Sequence, residues 1–320
     1  MLLKVKNLSK SFNTRKKKIM AVDNLSFEIP EGKITAFLGF NGAGKTTSLK
    51  AILNLLVPDK GEIYFDGKLL KDDFTPLLKQ TGVVLESARN IFFALTPMEN
   101  FAYWGGQRGL DKQTAHRNGL ELLGKFNLLS KKDTVIFKLS RGMQQIIAIC
   151  CALIARPKFL ILDEPTLGLD IEAVKTMEKM LQVLASENVT ILLTTHELYF
   201  AQKIADQILL IKKGRLIYSG TKNDCLAKFN QEKIFTVKFL HPLSEKQEIG
   251  LKAISKVVLL ADKTYEVTLF DKKSQGQLLQ QLAQFELVDI KTKSKSLNDV
   301  VDFYMKEGNS YDNTQSGISA

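Results

Sequence analysis

Gly39-Phe40-Asn41-Gly42-Ala43-Gly44-Lys45-Thr46 fits the pattern Gly, any four residues, Gly-Lys-Ser/Thr, the signature of a phosphate-binding loop. The preceding run, Ile34-Thr35-Ala36-Phe37-Leu38, is apolar and predicts a buried strand. From Thr47 to Leu56 the apolar residues Leu49, Ile52, Leu53 and Leu56 recur at helical spacing. A glycine-rich turn between strand and helix lets backbone N–H groups close around phosphate oxygens, and the helix N-terminus adds the positive end of its dipole. Gly39, Asn41, Gly42, Ala43, Gly44 and Thr47 are therefore candidate phosphate contacts. Lys45 is placed to reach the β and γ phosphates, and the Thr46 hydroxyl to hold Mg²⁺.

The chain has 320 residues, 45% apolar and 25% charged, which predicts about two globular domains with a sizeable core. Its three cysteines, Cys150, Cys151 and Cys225, lack metal-site spacing; the first two read as small core residues. Few cysteines and no leader-like N-terminal run favour a reducing, cytosolic setting. The longest apolar run, Ile146 to Ala155, is about half of the roughly 20 residues that a spanning helix needs. Net charge is +11, which favours a position beside an anionic membrane surface or, alternatively, contact with nucleic acid. The run Arg15-Lys16-Lys17-Lys18 reads as a solvated loop between two strands, Leu3 to Leu8 and Ala21 to Ile29.

Further along, short strands are predicted at Glu62 to Phe65 and Gly82 to Leu85, and glycine-interrupted helix from about Met98 to Leu129. Arg141 to Ala155 is a strong helix with Ser140 as its N-cap. Phe159 to Leu162 and Val189 to Leu193 read as central parallel strands buried on both faces, with the amphipathic helix Ile171 to Ala185 between them. This βαβ alternation makes the class α/β. Beyond about Gly220 the order changes to β-α-β-β-α-β (Lys233 to Leu240, Glu245 to Ala253, Lys256 to Leu260, Thr264 to Leu269, Gln275 to Phe285, Leu287 to Thr292), the pattern of a small ferredoxin-like α+β domain. A closing helix is expected from Ser296 to Lys306 and a disordered tail over residues 307–320.

Phe159-Leu160-Ile161-Leu162-Asp163-Glu164 is an apolar strand ending in paired acids, which places both carboxylates at the edge where open α/β sheets bind ligands. Asp163 is placed to hold Mg²⁺ and Glu164 to polarise an attacking water. A third motif is Leu139-Ser140-Arg141-Gly142-Met143-Gln144-Gln145. With the phosphate loop, the Asp-Glu strand, Gly168-Leu169-Asp170 and His196, it follows the order seen in ATP-binding cassette (ABC) proteins, and the chain resembles that family over residues 1 to about 220. Leu139 to Gln145 is similar to the family's signature, usually Leu-Ser-Gly-Gly-x-x-Gln.

The resemblance implies an ABC-type P-loop NTPase domain over 1–220 with a helical subdomain at about 87–155, followed by the accessory domain at 231–306. It implies that Ser140, Gly142, Gln145 and Asp170 act in trans, on ATP held by a second subunit of a homodimer or heterodimer. Phe12 resembles the aromatic residue that stacks on adenine, and His196 the histidine that contacts the γ-phosphate. Glu86 stands where the family usually has Gln, touching Mg²⁺ or water. Arg141, Ile146 and Glu86 replace the usual Gly, Arg and Gln. The Val84-Leu85-Glu86-Ser87 segment and the extra C-terminal domain resemble the bacterial drug, antibiotic and bacteriocin exporter class. The implied function is an ATP-hydrolysing subunit, peripheral on the cytoplasmic face of the membrane, that powers transport through separate transmembrane permease subunits. The competing expectations are a soluble ABC ATPase acting on ribosomes or nucleic acid, and a nucleotide-binding regulatory module that does not hydrolyse ATP.

Overall fold

The structure is a computed structural model that describes residues 1–13, 17–86, 91–229, 233–270, 274–293 and 296–307. Arg15 and Lys16 of the basic run, Ser87 of the Glu86 segment and the tail beyond residue 307 lie outside the described residues. The chain divides into two compact units, Met1–Lys222 and Asn223–Lys306.

In the first unit, β1 (Leu3–Asn13) and β2 (Lys18–Ile29) pair antiparallel, and β4 (Lys60–Phe65) and β5 (Lys68–Leu70) complete a four-stranded sheet in the order β2-β1-β4-β5. The two first strands are longer than the sequence pattern predicts because the hairpin continues to the Asn13–Lys18 pair. A second sheet is built from β3 (Ile34–Leu38), β6 (Thr81–Val84), β7 (Phe159–Asp163), β8 (Thr190–Thr195), β9 (Gln207–Lys212) and β10 (Arg215–Thr221). Its order is β10-β9-β3-β8-β7-β6, with β9, β3, β8, β7 and β6 running parallel. Every residue of β3, β7 and β8 is buried, as continuous apolar strands covered on both faces must be. Leu3, Val5, Leu25, Phe27 and Ile29 from the first sheet join Phe37, Phe159, Ile161 and Leu192 from the second in one core.

The first-unit helices are α1 (Lys45–Ile52), α2 (Thr75–Lys79), α3 (Pro97–Gln107), α4 (Lys112–Lys125), α5 (Arg141–Leu153), α6 (Ile171–Ser186) and α7 (Leu198–Ile204). The stretch expected as interrupted helix divides into α3 and α4 at Gly109, whose φ is +79°. Each half starts on a cap: Thr96 and Glu99 form a reciprocal capping box, and Asp111 accepts from the Thr114 N–H at 2.8 Å. α1 stops at Ile52, short of Leu56, because Asn54 takes a left-handed conformation (φ +56°) and the Leu55 N–H turns back to the Lys50 carbonyl at 2.8 Å. Cys150 and Cys151 are buried in α5, and burial pushes both thiols far up from their ordinary range. No helix among the described residues is long and apolar enough to cross a membrane.

The turn into α1 depends on Gly44. Its φ is +106°, and a Cβ added there would sit 2.4 Å from the Ala21 carbonyl oxygen of β2. Gly44→Ala is expected to destabilise the unit by at least about 2 kcal/mol through left-handed strain and that clash. Urea unfolding checks it; a loss of under about 0.5 kcal/mol, the scale of an ordinary surface change, would contradict the strain argument.

α8 (Lys222–Phe229) leads into the second unit, which runs β11 (Ile234–Phe239), α9 (Glu245–Lys252), β12 (Ser255–Ala261), β13 (Thr264–Leu269), α10 (Gln275–Leu282), β14 (Leu287–Lys293) and α11 (Leu297–Glu307). The sheet order is β12-β13-β11-β14, with every pair antiparallel. Phe235, Val237 and Phe239 of β11 and Tyr265, Val267 and Leu269 of β13 face Leu251 of α9 and Leu278 and Leu282 of α10. Alternation thus puts one sheet face under two helices, the ferredoxin-like arrangement.

Candidate functional site

Parallel pairing brings three strand ends to one edge. Leu38 of β3 lies opposite Thr195 of β8, and Asp163 of β7 opposite Thr194 of β8. The phosphate loop leaves β3 at this edge. Gly39 is required there, since a Cβ on it would fall 2.6 Å from the Ile211 carbonyl oxygen. Gly42 (φ +78°) and Gly44 turn the chain into α1, which has no side-chain cap. The amides of Lys45, Thr46 and Thr47 precede the bond from the Ser48 N–H to the Gly44 carbonyl, so they are the helix-end donors that an anion takes up.

Lys45 is buried, 7% exposed. Its Nζ donates to the Gly39 carbonyl at 2.6 Å and lies 3.5 Å from Glu164 Oε1. The Thr46 hydroxyl donates to Asp163 Oδ2 at 3.0 Å. Asp163 is 1% exposed, so desolvation makes its hydrogen bonds obligatory. The Thr194 hydroxyl meets that need by donating to Asp163 Oδ1, while its oxygen accepts the Glu164 N–H at 3.0 Å. Glu164 has a left-handed backbone (φ +50°), strain of the sort that clusters at active sites. Its Oε2 meets His196 Nδ1 at 2.9 Å. Lys45, Thr46, Asp163, Glu164 and His196 thus form one contact network. The Thr46 hydroxyl and Asp163 carboxylate are hard oxygen donors side by side, a set that fits Mg²⁺.

Thr194 was missed in the sequence, where it falls just past the predicted strand Val189 to Leu193. Its hydroxyl fixes both acids through one atom. Thr194→Val is expected to lower kcat about 10- to 100-fold, the scale of losing an outer-shell partner, with ATP affinity retained. Steady-state phosphate release with parallel ATP titration checks it; a kcat within about twofold of the parent would contradict the role.

Phe12 is 41% exposed near the end of β1, paired with Ile19 of β2, and Lys10 Nζ lies 5.8 Å from its ring centre. Ala21, two residues along from Ile19, is the residue whose carbonyl abuts Gly44, so the ring belongs to the hairpin that touches the phosphate loop. Glu86 stands just past β6 and is exposed. Among the described residues no hydrogen bond or ion pair links it to Thr46 or Asp163.

Among the described residues, Ser140, Gly142, Gln145 and Asp170 make no hydrogen bond or ion pair to the Lys45 network. Ser140 caps α5, its Oγ accepting the Met143 N–H at 3.3 Å. Gly142 is buried against α6, where a Cβ would lie 2.6 Å from that of Ala173. Asp170 caps α6, accepting the Ala173 N–H at 2.8 Å. Gln145 is half-buried and Ile146 fully buried. Gln144, which drew no attention in the sequence, donates to the Ile136 and Leu139 carbonyls at 3.1 and 3.0 Å and so fixes the turn leading to Ser140.

The chain resembles several known proteins. The ABC transporter family profile matches residues 22–167. The L-cystine import ATP-binding protein TcyC of Bacillus subtilis is 32% identical over 252 residues, covering 76% of this chain and 100% of that protein. The methionine import ATP-binding protein MetN of Histophilus somni is 32% identical over 75% of this chain and 70% of its own length. Among solved structures, the dimeric post-hydrolysis state of the ATP-binding cassette MJ0796 bound to ADP and Pi is 26% identical, with a TM-score of 0.62 over 69% of this chain and 99% of that one.

Proposed function

This chain belongs to the ABC transporter family as an ATP-binding subunit with ATPase activity, and from that premise we propose how its residues bind and cleave ATP and what the cleavage drives. The observation that carries the reading is the shared contact of Lys45 and His196 with Glu164, beside Asp163 on Thr46. The loop amides and Lys45 take the β and γ phosphates, and Phe12 stacks on the base. Thr46 and Asp163 would hold Mg²⁺, which would supply charge neutralisation at the phosphates. Glu164 is shared between Lys45 and His196. An arriving γ-phosphate draws both toward itself and leaves Glu164 free to orient water for in-line attack. Positioning and electrostatics then do most of the catalysis.

Two copies are proposed to share two ATP molecules. Among the described residues, Ser140 and Asp170 make no hydrogen bond or ion pair to the Lys45 network of their own chain, and the exposed apolar residues Phe40, Leu167, Ile171 and Tyr199 lie in the segments that carry these groups. Such side chains are what a self-complementary interface buries. ATP then favours the closed pair because it contacts both copies there and one copy when they part.

Separate membrane subunits are proposed to convert this cycle into transport. The relatives named above are import proteins, for L-cystine and methionine, and they favour import. Export is the second reading and rests on the Glu86 segment and the C-terminal unit. In inverted membrane vesicles carrying the whole transporter, ATP-driven substrate uptake marks export and ATP-driven loss marks import. Affinity purification of the full chain from membranes is expected to bring down a multi-helix membrane protein. Recovery of ribosomal RNA in its place would overturn the transport reading in favour of the ribosome or nucleic-acid alternative.

A further inference from the structure

β1 pairs with β4 only as far as Ser9 and Lys60. Beyond that point its last residues, Lys10 to Asn13, keep β2 as their strand partner. Asp59, in the turn between α1 and β4, stands in for the missing strand. Its amide donates to the Ser9 carbonyl at 2.8 Å. Its Oδ2 accepts from the Ser11 N–H at 2.8 Å and from the Ser11 hydroxyl at 2.6 Å, and its Oδ1 accepts from Lys10 Nζ at 3.1 Å. Lys10 Nζ also donates to the Val57 carbonyl at 2.7 Å. The Ser11 hydroxyl above all, then the Ser11 amide and Lys10, hold the Asp59 carboxyl down to about 2, so the group is an anion at neutral pH. The two residues bound in this way immediately precede Phe12. Lys10 Nζ stands over the Phe12 ring, 5.8 Å from its centre, and a ring with a cation over one face offers a base the other.

We propose that Asp59 is a positioning residue for the nucleotide base: by fixing Ser11 and Lys10 to the turn after α1, it sets the Phe12 ring at the spacing from the phosphate loop that a bound nucleotide spans. The inference rests on the reading that Phe12 stacks on the base. The phosphate loop runs into α1 at Lys45, and the turn after α1 carries Val57 and Asp59. One short helix therefore separates the phosphate site from the clamp on the ring. Phe12 itself is 41% exposed and lies on a strand end without β4 beside it, so its own packing holds it weakly. A ring fixed beforehand loses less freedom when the base arrives. Asp59 acts through Ser11 and Lys10, and its loss should weaken the base contact while leaving the phosphate contacts as they are.

The test is calorimetric titration of the full chain with two probes that carry the same two phosphates, ADP and inorganic pyrophosphate. Phe12→Ala is expected to weaken ADP about tenfold, the scale of one lost base–aromatic stack. Asp59→Ala should weaken ADP about fivefold or more, and Asp59→Asn, which still accepts from Ser11 but no longer pairs with Lys10, by less. Pyrophosphate affinity should stay within about twofold throughout. In a chain already carrying Phe12→Ala, adding Asp59→Ala should change ADP affinity by under about twofold, because the two residues act on one contact. Thermal melts accompany each variant, and if Asp59→Ala melts early, Asp59→Asn and Lys10→Met carry the comparison. Phe12→Ala that weakens ADP while the Asp59 and Lys10 variants do not would overturn this inference alone. Equal losses for ADP and pyrophosphate, or full additivity with Phe12→Ala, would overturn it by giving Asp59 a general structural role. If Phe12→Ala binds ADP as the parent does, the base-stacking reading falls and takes this inference with it.

Discussion

Glu164→Gln is expected to lower the rate of ATP hydrolysis by about a hundredfold or more, the scale of losing a group that orients or activates the attacking water. ATP affinity should be unchanged or tighter. Glu164 is the anion that Lys45 contacts, at 3.5 Å with both side chains largely buried, so it competes with the phosphates for the same ammonium. Glutamine keeps the shape and can still accept from His196, but it removes the competing charge. The backbone cost at φ +50° is shared by both residues, which leaves folding stability little affected. Single-turnover phosphate release together with calorimetric ATP binding separates the two effects. A variant that hydrolyses at the parental rate would remove Glu164 from the reaction, and one that binds ATP far more weakly would show that its negative charge supports binding.

The second large effect is expected at Lys45. Lys45→Ala should weaken ATP binding about a hundredfold, which is about 2.7 kcal/mol, because the buried ammonium is the cation of the network aimed at the phosphates. Alanine is a good helix former at the start of α1, so the unit should stay folded. The Gly39 carbonyl and Glu164 lose a common partner, and Glu164 keeps His196. Isothermal titration with ATP and a thermal melt check this. Unchanged affinity with an intact fold would show that the loop amides alone hold the phosphates.

The difference between what the sequence showed and what it hid follows from distance along the chain. The phosphate loop was legible because its work is local: Gly39 to Thr46 carry turn, donors and helix start within one segment. The apolar runs Phe159 to Leu162 and Val189 to Leu193 announced buried parallel strands, and the placing of ligands at their C-terminal ends follows from general α/β behaviour. Thr194 was not legible, because its task depends on β8 lying beside β7 with Asp163 in register, a tertiary fact. Gln144 was hidden for a similar reason, since the carbonyls it bonds belong to a turn without periodicity. Glu86 was legible by resemblance as a Mg²⁺ neighbour, and the structure places it exposed just past β6. In the second unit, alternation in β11 and β13 gave the order of elements, while the strand order β12-β13-β11-β14 emerged only from pairing.

The most direct test of the shared-nucleotide account is sedimentation velocity of the Glu164→Gln chain with Mg²⁺ and ATP, with bound nucleotide counted in each species. The account predicts a particle of two chains holding two ATP molecules, absent with ADP and lost when Ser140 is changed to Arg even though single copies still bind ATP. A chain that remains single at saturating ATP, or pairs equally well without nucleotide, would contradict it.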